Sequence, residues 1–514
     1  MSETKQGAKT PLSASLQANV HAVNARFGSS SDLVIRLFRS DAAPEREIAL
    51  LYIDGLVETA TINESIIAPM MTMELPAYAE ERGDRLLTSM RACVVSISSV
   101  KETSTMEEAL QYMADGHCLL LADGGVTALL ADVNGGQQRA VTIPQTQTVI
   151  RGPQHGFVED VHTNVSLVRR IIRSSNLHVQ THKIGEQTHS NVSVLYLNGV
   201  ADPAVVKEVY RRLAAIDIDG VLESGYIEEF IQDESFTMFP TLMNTERPDT
   251  VAASILEGKV AILVDGSPIA LIAPTTFFSF FDSPEDYYQR FDIATFIRTI
   301  RYVAYLISMI FPSLYIAITT FHQEMLPTTL LISLAAQREG VPFPGLVEAL
   351  LMEMTFEVLR EAGLRMPRAI GPAISIVGAL VLGQSAVQAG IVSAGMVIVV
   401  SFTAISNFVM PESSMAATSR ILRFGIMIMA GMLGFLGIYV SVLFIIVHLT
   451  SLRSFGVPYM SPFAPSPNKW VMLKGIFVRK PWWSIVLRPM DTNLRNPRRQ
   501  GSAKRPPAQR HSGK

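Results

Sequence analysis

Few residues in this sequence are placed to do chemistry, and three acids in an apolar stretch come first. Glu348, Glu353 and Glu357 stand among Leu, Met and Phe over residues 345–361. An ionised carboxylate in hydrocarbon is costly, so acids at such positions face a polar interior or a water path. They are acidic ion-path candidates. The other reading is a helix that lies in a membrane interface or re-enters, with its acids solvated. Further on, Gln384 and Gln388 end an apolar stripe made by Ile370, Ile374, Val377 and Val381. If several copies ringed an axis, this stripe would form a hydrophobic constriction with a polar mouth, and such constrictions gate by dewetting. Ile374, Val377, Val381, Gln384 and Gln388 are therefore the pore-lining candidates. Beside them Gly371, Ser375, Ala379 and Gly383 recur at four-residue spacing. Small residues so spaced let helices approach closely in lipid. Ordinary packing in a helical bundle is the other reading of both stripes.

Enzyme chemistry finds no such footing. His155, His162, His178, His182 and His189 cluster loosely without metal-ligand spacing, and solvated histidines account for them. There is no Gly-x-Ser-x-Gly elbow and no convincing pair of carboxylates. Gly124-Gly125 and Asp265-Gly266 lack a following Lys-Ser/Thr or a GxGxxG, so they read as turns. No catalytic residue, cofactor or metal is expected. Cys93 and Cys118 have neither ligand spacing nor the density of a disulfide framework, which suits a reducing or neutral compartment.

The elements that must carry these residues follow from hydropathy. No charged residue occurs over 369–411, which is long enough for two crossings at about 20 apolar residues each. They read as 370–386 and 389–409, turning around Gln384, Ser385, Gln388 and Gly390. An earlier span covers 300–319 with Pro312 inside it. The stretch 325–337 is short for a crossing. A long last span covers 421–450, with Gly425, Gly431, Gly434 and Gly437 as close-packing points. The count is four to six crossings.

Ahead of the apolar part lies a repeat. Leu51-Tyr52-Ile53-Asp54-Gly55 matches Leu195-Tyr196-Leu197-Asn198-Gly199 at an offset of 144, and Leu121-Ala122-Asp123-Gly124 matches Leu263-Val264-Asp265-Gly266 at 142. Collinear matches of this kind mark duplicated units. Each copy shows an apolar strand, a helix and an apolar hairpin around Asp-Gly. The helix is clearest over 203–215, where Asp202 serves as N-cap and Pro203 as first residue. The expected fold class is thus an α/β soluble domain of two duplicated subdomains followed by an α-helical polytopic transmembrane domain. The expected boundaries are a flexible arm 1–30 with one short helix at Leu16 to Phe27, subdomains 31–150 and 151–290, a membrane domain 291–452, and a basic Pro/Arg-rich tail 453–514. From Arg453 onward there are thirteen Lys or Arg and one acid, Asp491, in a chain of net charge −3. A basic tail directly after an apolar segment points to anionic lipid rather than nucleic acid. With no signal peptide over 1–30 and a positive-inside tail, the soluble domain and tail are expected on the cytoplasmic side.

Several runs carry a resemblance: Thr320-Phe-His-Gln-Glu-Met-Leu-Pro-Thr-Thr-Leu, Leu334-Ala-Ala-Gln-Arg-Glu-Gly-Val-Pro-Phe-Pro, Met352-Glu-Met-Thr-Phe-Glu-Val-Leu-Arg-Glu-Ala-Gly and Phe455-Gly-Val-Pro-Tyr-Met-Ser-Pro. With Arg247-Pro-Asp and Ser375-Ile-Val-Gly, they resemble the A subunit of GerA-type spore germination receptors. The resemblance covers nearly everything from residue 31. It implies a protein of the inner membrane of dormant bacterial endospores. It also implies two partners: a B-type, transporter-like membrane subunit that carries the nutrient site, and a C-type lipoprotein. A homo-oligomer is implied too, a pentamer, conducting cations when nutrient binds. Given that, the pore reading of the stripe outweighs bundle packing. A secondary transporter and a non-conducting membrane scaffold remain the competing classes. The absence of a repeat between two halves of the apolar region counts against the transporter.

Overall fold

The computed structural model describes residues 10–40, 43–72, 87, 91, 99–135, 144, 147, 149–366, 381–463, 476–488 and 496–500. The chain divides into two compact units. One comprises Met1–Asp233, Leu242–Pro274 and Trp483–Lys514; the other comprises Glu234–Thr241 and Thr275–Trp482.

The first unit holds two five-stranded sheets of the same strand order. In the first sheet β1 (Leu33–Ser40), β2 (Ala43–Ile53), β3 (Val100–Thr103), β4 (His117–Ala122) and β5 (Ala128–Asp132) lie in the order β1-β2-β4-β5-β3. In the second, β6 (Leu177–Ile184), β7 (Ser190–Leu197), β8 (Met243–Thr245), β9 (Val260–Val264) and β10 (Ala270–Ala273) lie as β6-β7-β9-β10-β8. Every neighbouring pair is antiparallel, with Ile48 opposite Ala122 in one sheet and Val192 opposite Val264 in the other. Side chains alternate between faces along a strand. Ile48, Leu50 and Tyr52 therefore enter one buried cluster, while Ala49, Leu51 and Ile53 enter another on the opposite face. Burial on both faces is why these strands read as unbroken apolar runs.

The helices repeat as well. In the first copy α1 (Leu16–Arg26) and α2 (Met106–Ala114) cover one face, and α3 (Val161–Ile171) takes the place of α1 in the second copy. Between β7 and β8 come α4 (Pro203–Ala214) and α5 (Ser224–Ile231), and α6 (Pro248–Leu256) follows β8. The expected flexible arm is corrected here. From Thr10 onward it belongs to the first repeat, because Leu16, Val23 and Phe27 are buried against the sheet. Two polar clamps recur at this place in both copies. The amide of Asn19 accepts from Ser13 N at 2.9 Å and donates to Ser13 O at 2.6 Å, and Asn164 does the same to Val158 at 2.8 and 2.6 Å. Asp123 accepts from Leu16 N as Asp265 accepts from Val161 N, both at 3.3 Å. Across the copies, Arg169 of α3 donates to Asp32 at the start of β1 at 2.8 Å, with both side chains buried.

The second unit is helical: α7 (Phe291–Thr320), α8 (Thr328–Arg338), α9 (Gly345–Arg365), α10 (helical residues 381–388), α11 (Ala394–Asn407), α12 (Ser413–Leu433) and α13 (Phe435–Ser451). α7 packs against α11 and α12, and Ile316, Ala349, Met396, Val400 and Met427 form a buried core. Two of these helices, α7 and α12, are long and apolar enough to cross a membrane, while α11 and α13 are shorter apolar helices. Two expected spans are corrected. The long last span is two helices, because Gly434 takes φ 61 and ψ −136, a conformation open to glycine alone. The chain then folds back: Thr418 of α12 and His448 of α13 both contact the segment 237–238. The expected span 389–409 is a helix of 14 residues, about 21 Å long, preceded by a turn at Gly390 with φ 66.

Candidate functional site

The acids of α9 point at neighbouring helices. Glu348 lies in the first turn of α9 and accepts from Ser393 N at 2.6 Å and from the Ser393 hydroxyl. Ser393 is in turn the N-cap of α11, accepting from Met396 N. A carboxylate there meets the positive end of the α11 dipole. Arg338 Nε stands 3.9 Å from its other oxygen. Five residues on, Glu353 pairs with Arg423 of α12 at 2.9 Å. One turn later Glu357 receives Arg360 at 2.6 Å, Arg420 at 3.1 Å and Arg423 at 3.5 Å.

Sequence reasoning placed Glu348 or Glu353 against water. Neither side chain has any exposed surface in the single chain, because each is enclosed with an N–H, hydroxyl or guanidinium donor. Glu357 retains 18% exposure. The arginines that complete this network were missed. A signal existed, since Arg420 and Arg423 stand at i, i+3 spacing directly before and within an apolar run, and a cation so placed requires a partner.

On α10 the candidate residues separate by face. Val381, Gln384 and Gln388 are exposed, Val381 by 52%. Gly383 is buried, and a methyl group on it would lie 3.6 Å from Val397 Cγ1 of α11. At 100° per residue, 381, 384 and 388 share one side of the helix and 383 lies opposite. Ile374, Val377, Gly371, Ser375 and Ala379 lie outside the described residues. Of the histidines, His155, His162, His182 and His189 are exposed, while His178 is buried against Gly28. Burial lowers the pKa of His178.

Comparisons with known proteins give the chain its relatives. A family model described as Bacillus/Clostridium GerA spore germination protein matches residues 21–491. Spore germination protein KA of Bacillus subtilis (strain 168) is 47% identical over 495 residues, covering 96% of this chain and 90% of that protein. The uncharacterized membrane protein YfkQ of the same strain is 40% identical over 487 residues, covering 95% of this chain and 93% of that protein. A crystal structure of the N-terminal domain of the A subunit of the Bacillus megaterium spore germinant receptor GerK3 matches at 33% identity. It covers 53% of this chain and 99% of that one, with a TM-score of 0.42.

Proposed function

The chain belongs to the GerA family of spore germination proteins as an A-type receptor subunit, and from that premise we propose that it is the conducting subunit of a nutrient-gated receptor. In this reading several copies, five by resemblance, ring an axis in the spore inner membrane. A B-type subunit supplies the nutrient site and a C-type lipoprotein completes the assembly. α7, the α12–α13 hairpin and the helices around α10 form the membrane part, with the soluble unit and the basic tail on the spore-core side.

The observation that carries the channel reading is the division of faces on α10. Gly383 packs inward against α11, which leaves Val381, Gln384 and Gln388 free for an axis shared with other copies. In the sequence, Ile374 and Val377 continue the same spacing with apolar residues ahead of the two amides. A narrow apolar ring dewets and holds ions back without fixed charge, and modest widening restores conduction. Glu357, the acid that keeps solvent access, is the candidate to draw cations towards the mouth. Glu348 and Glu353 hold the helices in place.

Cation flux from the reconstituted receptor, measured with and without candidate nutrients, tests this reading. Val377→Ala widens the ring and is expected to leak without nutrient. Val377→Phe is expected to block flux while nutrient still binds. Equal flux from parent and both variants removes this helix from the ion path.

A further inference from the structure

The segment Glu234–Thr241 interrupts the soluble part of the sequence yet belongs to the helical unit. It is pinned there along its length. Thr237 Oγ1 lies 2.9 Å from His448 Nε2 near the C-terminal end of α13. Met238 O accepts from Thr418 Oγ1 in α12. Pro240 O accepts from the Tyr459 hydroxyl and Thr241 O from Ser454 Oγ, both at 2.7 Å. Phe239 is buried and stacks obliquely near His448, ring centroids 6.1 Å apart. Among these anchored residues two apolar side chains point out: Phe236 is 97% exposed and Met238 54%.

A single exposed Phe needs no explanation in water. Its position here is not neutral. α13 carries an outward apolar band that includes Leu436, Val440, Phe444 and Val447, and Phe444 is 73% exposed. Val447 adjoins His448, and Thr450 and Ser451 then end the band. Phe444 to His448 is one helical turn, about 6 Å. The loop therefore sits where the band stops, held there by His448 and Thr418. A band that faces acyl chains places its edge at the glycerol region, and aromatic and long apolar side chains partition favourably at that depth.

We propose that Phe236 and Met238 form an interfacial anchor that inserts into the glycerol–upper acyl layer of the lipid on the side where the α12–α13 hairpin opens. This rests on the membrane reading above. Charge does not assist it: residues 232–246 hold Asp233, Glu234 and Glu246 and no Lys or Arg. The partner is thus the neutral boundary layer rather than anionic headgroups.

The test uses Phe236→Trp in the full chain, reconstituted in phosphatidylcholine vesicles brominated near the glycerol or near the bilayer centre. Emission is taken as the difference from the parent, which retains its own three tryptophans. Phe444→Trp in α13 is the depth control. The expected result is that shallow bromines remove at least half of the Phe236→Trp signal and deep bromines much less. The ratio of deep to shallow quenching should be higher for Phe444→Trp than for Phe236→Trp, because Phe444 lies about 6 Å further into the apolar band, and adding phosphatidylglycerol should change neither. If Phe444→Trp is quenched and Phe236→Trp is not, the loop meets water, a second copy or a partner subunit, and the anchor is overturned with the membrane reading intact. If neither is quenched, the membrane reading itself falls and the anchor with it. Quenching of Phe236→Trp only when phosphatidylglycerol is present would overturn the neutral-layer assignment.

Discussion

Glu353 and Arg423 face each other at 2.9 Å with 0% and 1% of their side chains exposed. Taking charges out of water is costly, and the pair survives because each neutralises the other. Losing Arg423 leaves Glu353 buried without its cation and costs about 3–5 kcal/mol, whereas losing Glu353 leaves Arg423 with Glu357 at 3.5 Å. Arg423→Met is expected to lower the unfolding temperature of detergent-purified protein sharply, and Glu353→Gln to lower it less, because Arg423 keeps Glu357. The double variant should recover most of the loss, since a neutral pair of similar volume needs no compensation. Single variants as stable as the parent would mean that water reaches the pair. A second carboxyl is legible through titration. Burial, then the charges of Glu223 and Glu229, push the Glu228 carboxyl on α5 from its usual 4.5 up to about 7. The native state therefore binds this proton more tightly than the unfolded chain does. Its contribution is fully favourable below about pH 4.5 and is lost as the pH rises to about 7. Each pH unit between those two values removes about 1.4 kcal/mol. Glu228→Gln should stabilise the protein at pH 8 and leave it unchanged at pH 4.5, as read by thermal unfolding at the two pH values. Equal effects at both would contradict the raised pKa.

Among the elements, the turn between α12 and α13 rests on two glycines. A side chain at Gly434 would be strained at φ 61, and its Cβ would lie 3.0 Å from Phe321 Cβ. A Cβ at Gly437 would lie 2.0 Å from Met429 O, which forces the two helices apart. Gly437→Ala is expected to lower stability by more than Gly425→Ala, where a Cβ meets open space. Comparable losses in thermal unfolding would contradict the close approach. Why the turn was not legible is plain from these residues. Apolar periodicity runs unbroken through Gly431, Gly434 and Gly437, and a positive φ leaves no trace in composition. The α/β repeat was legible because its strands end in Asp-Gly or Asn-Gly at nearly constant offset. The place of α1 in the repeat escaped notice because its likeness to α3 lies in spacing: Leu16 and Asn19 correspond to Val161 and Asn164, while the residues between differ. The arginines opposite α9 needed the fold, since Glu353 and Arg423 are 70 residues apart.

At the scale of the whole molecule, the single chain leaves α10 half covered. Gly383 is against α11, while Val381, Gln384 and Gln388 face outward. A lipid-facing surface would not place two amides in a row on that face, because each unpaired amide in hydrocarbon costs several kcal/mol, of order 2–7. An axis lined by the same face of other copies satisfies them with water or with one another. The two faces of α10 can be told apart by cross-linking. The chain has two cysteines. Burial pushes the Cys118 thiol up to about 12, so it stays protonated and unreactive. Cys93→Ser therefore gives a background with one inert thiol. In that background Gln384→Cys and Gln388→Cys are expected to form disulfide-linked dimers on mild oxidation in the membrane, because cyclic symmetry brings equivalent residues near one axis. Gly383→Cys, facing α11 of its own chain, should remain monomeric on the same gel. The contrast separates a ring from random collision, which would link all three positions alike. Cross-links at 383 but not at 384 or 388 would turn the helix over and remove Val381, Gln384 and Gln388 from the axis.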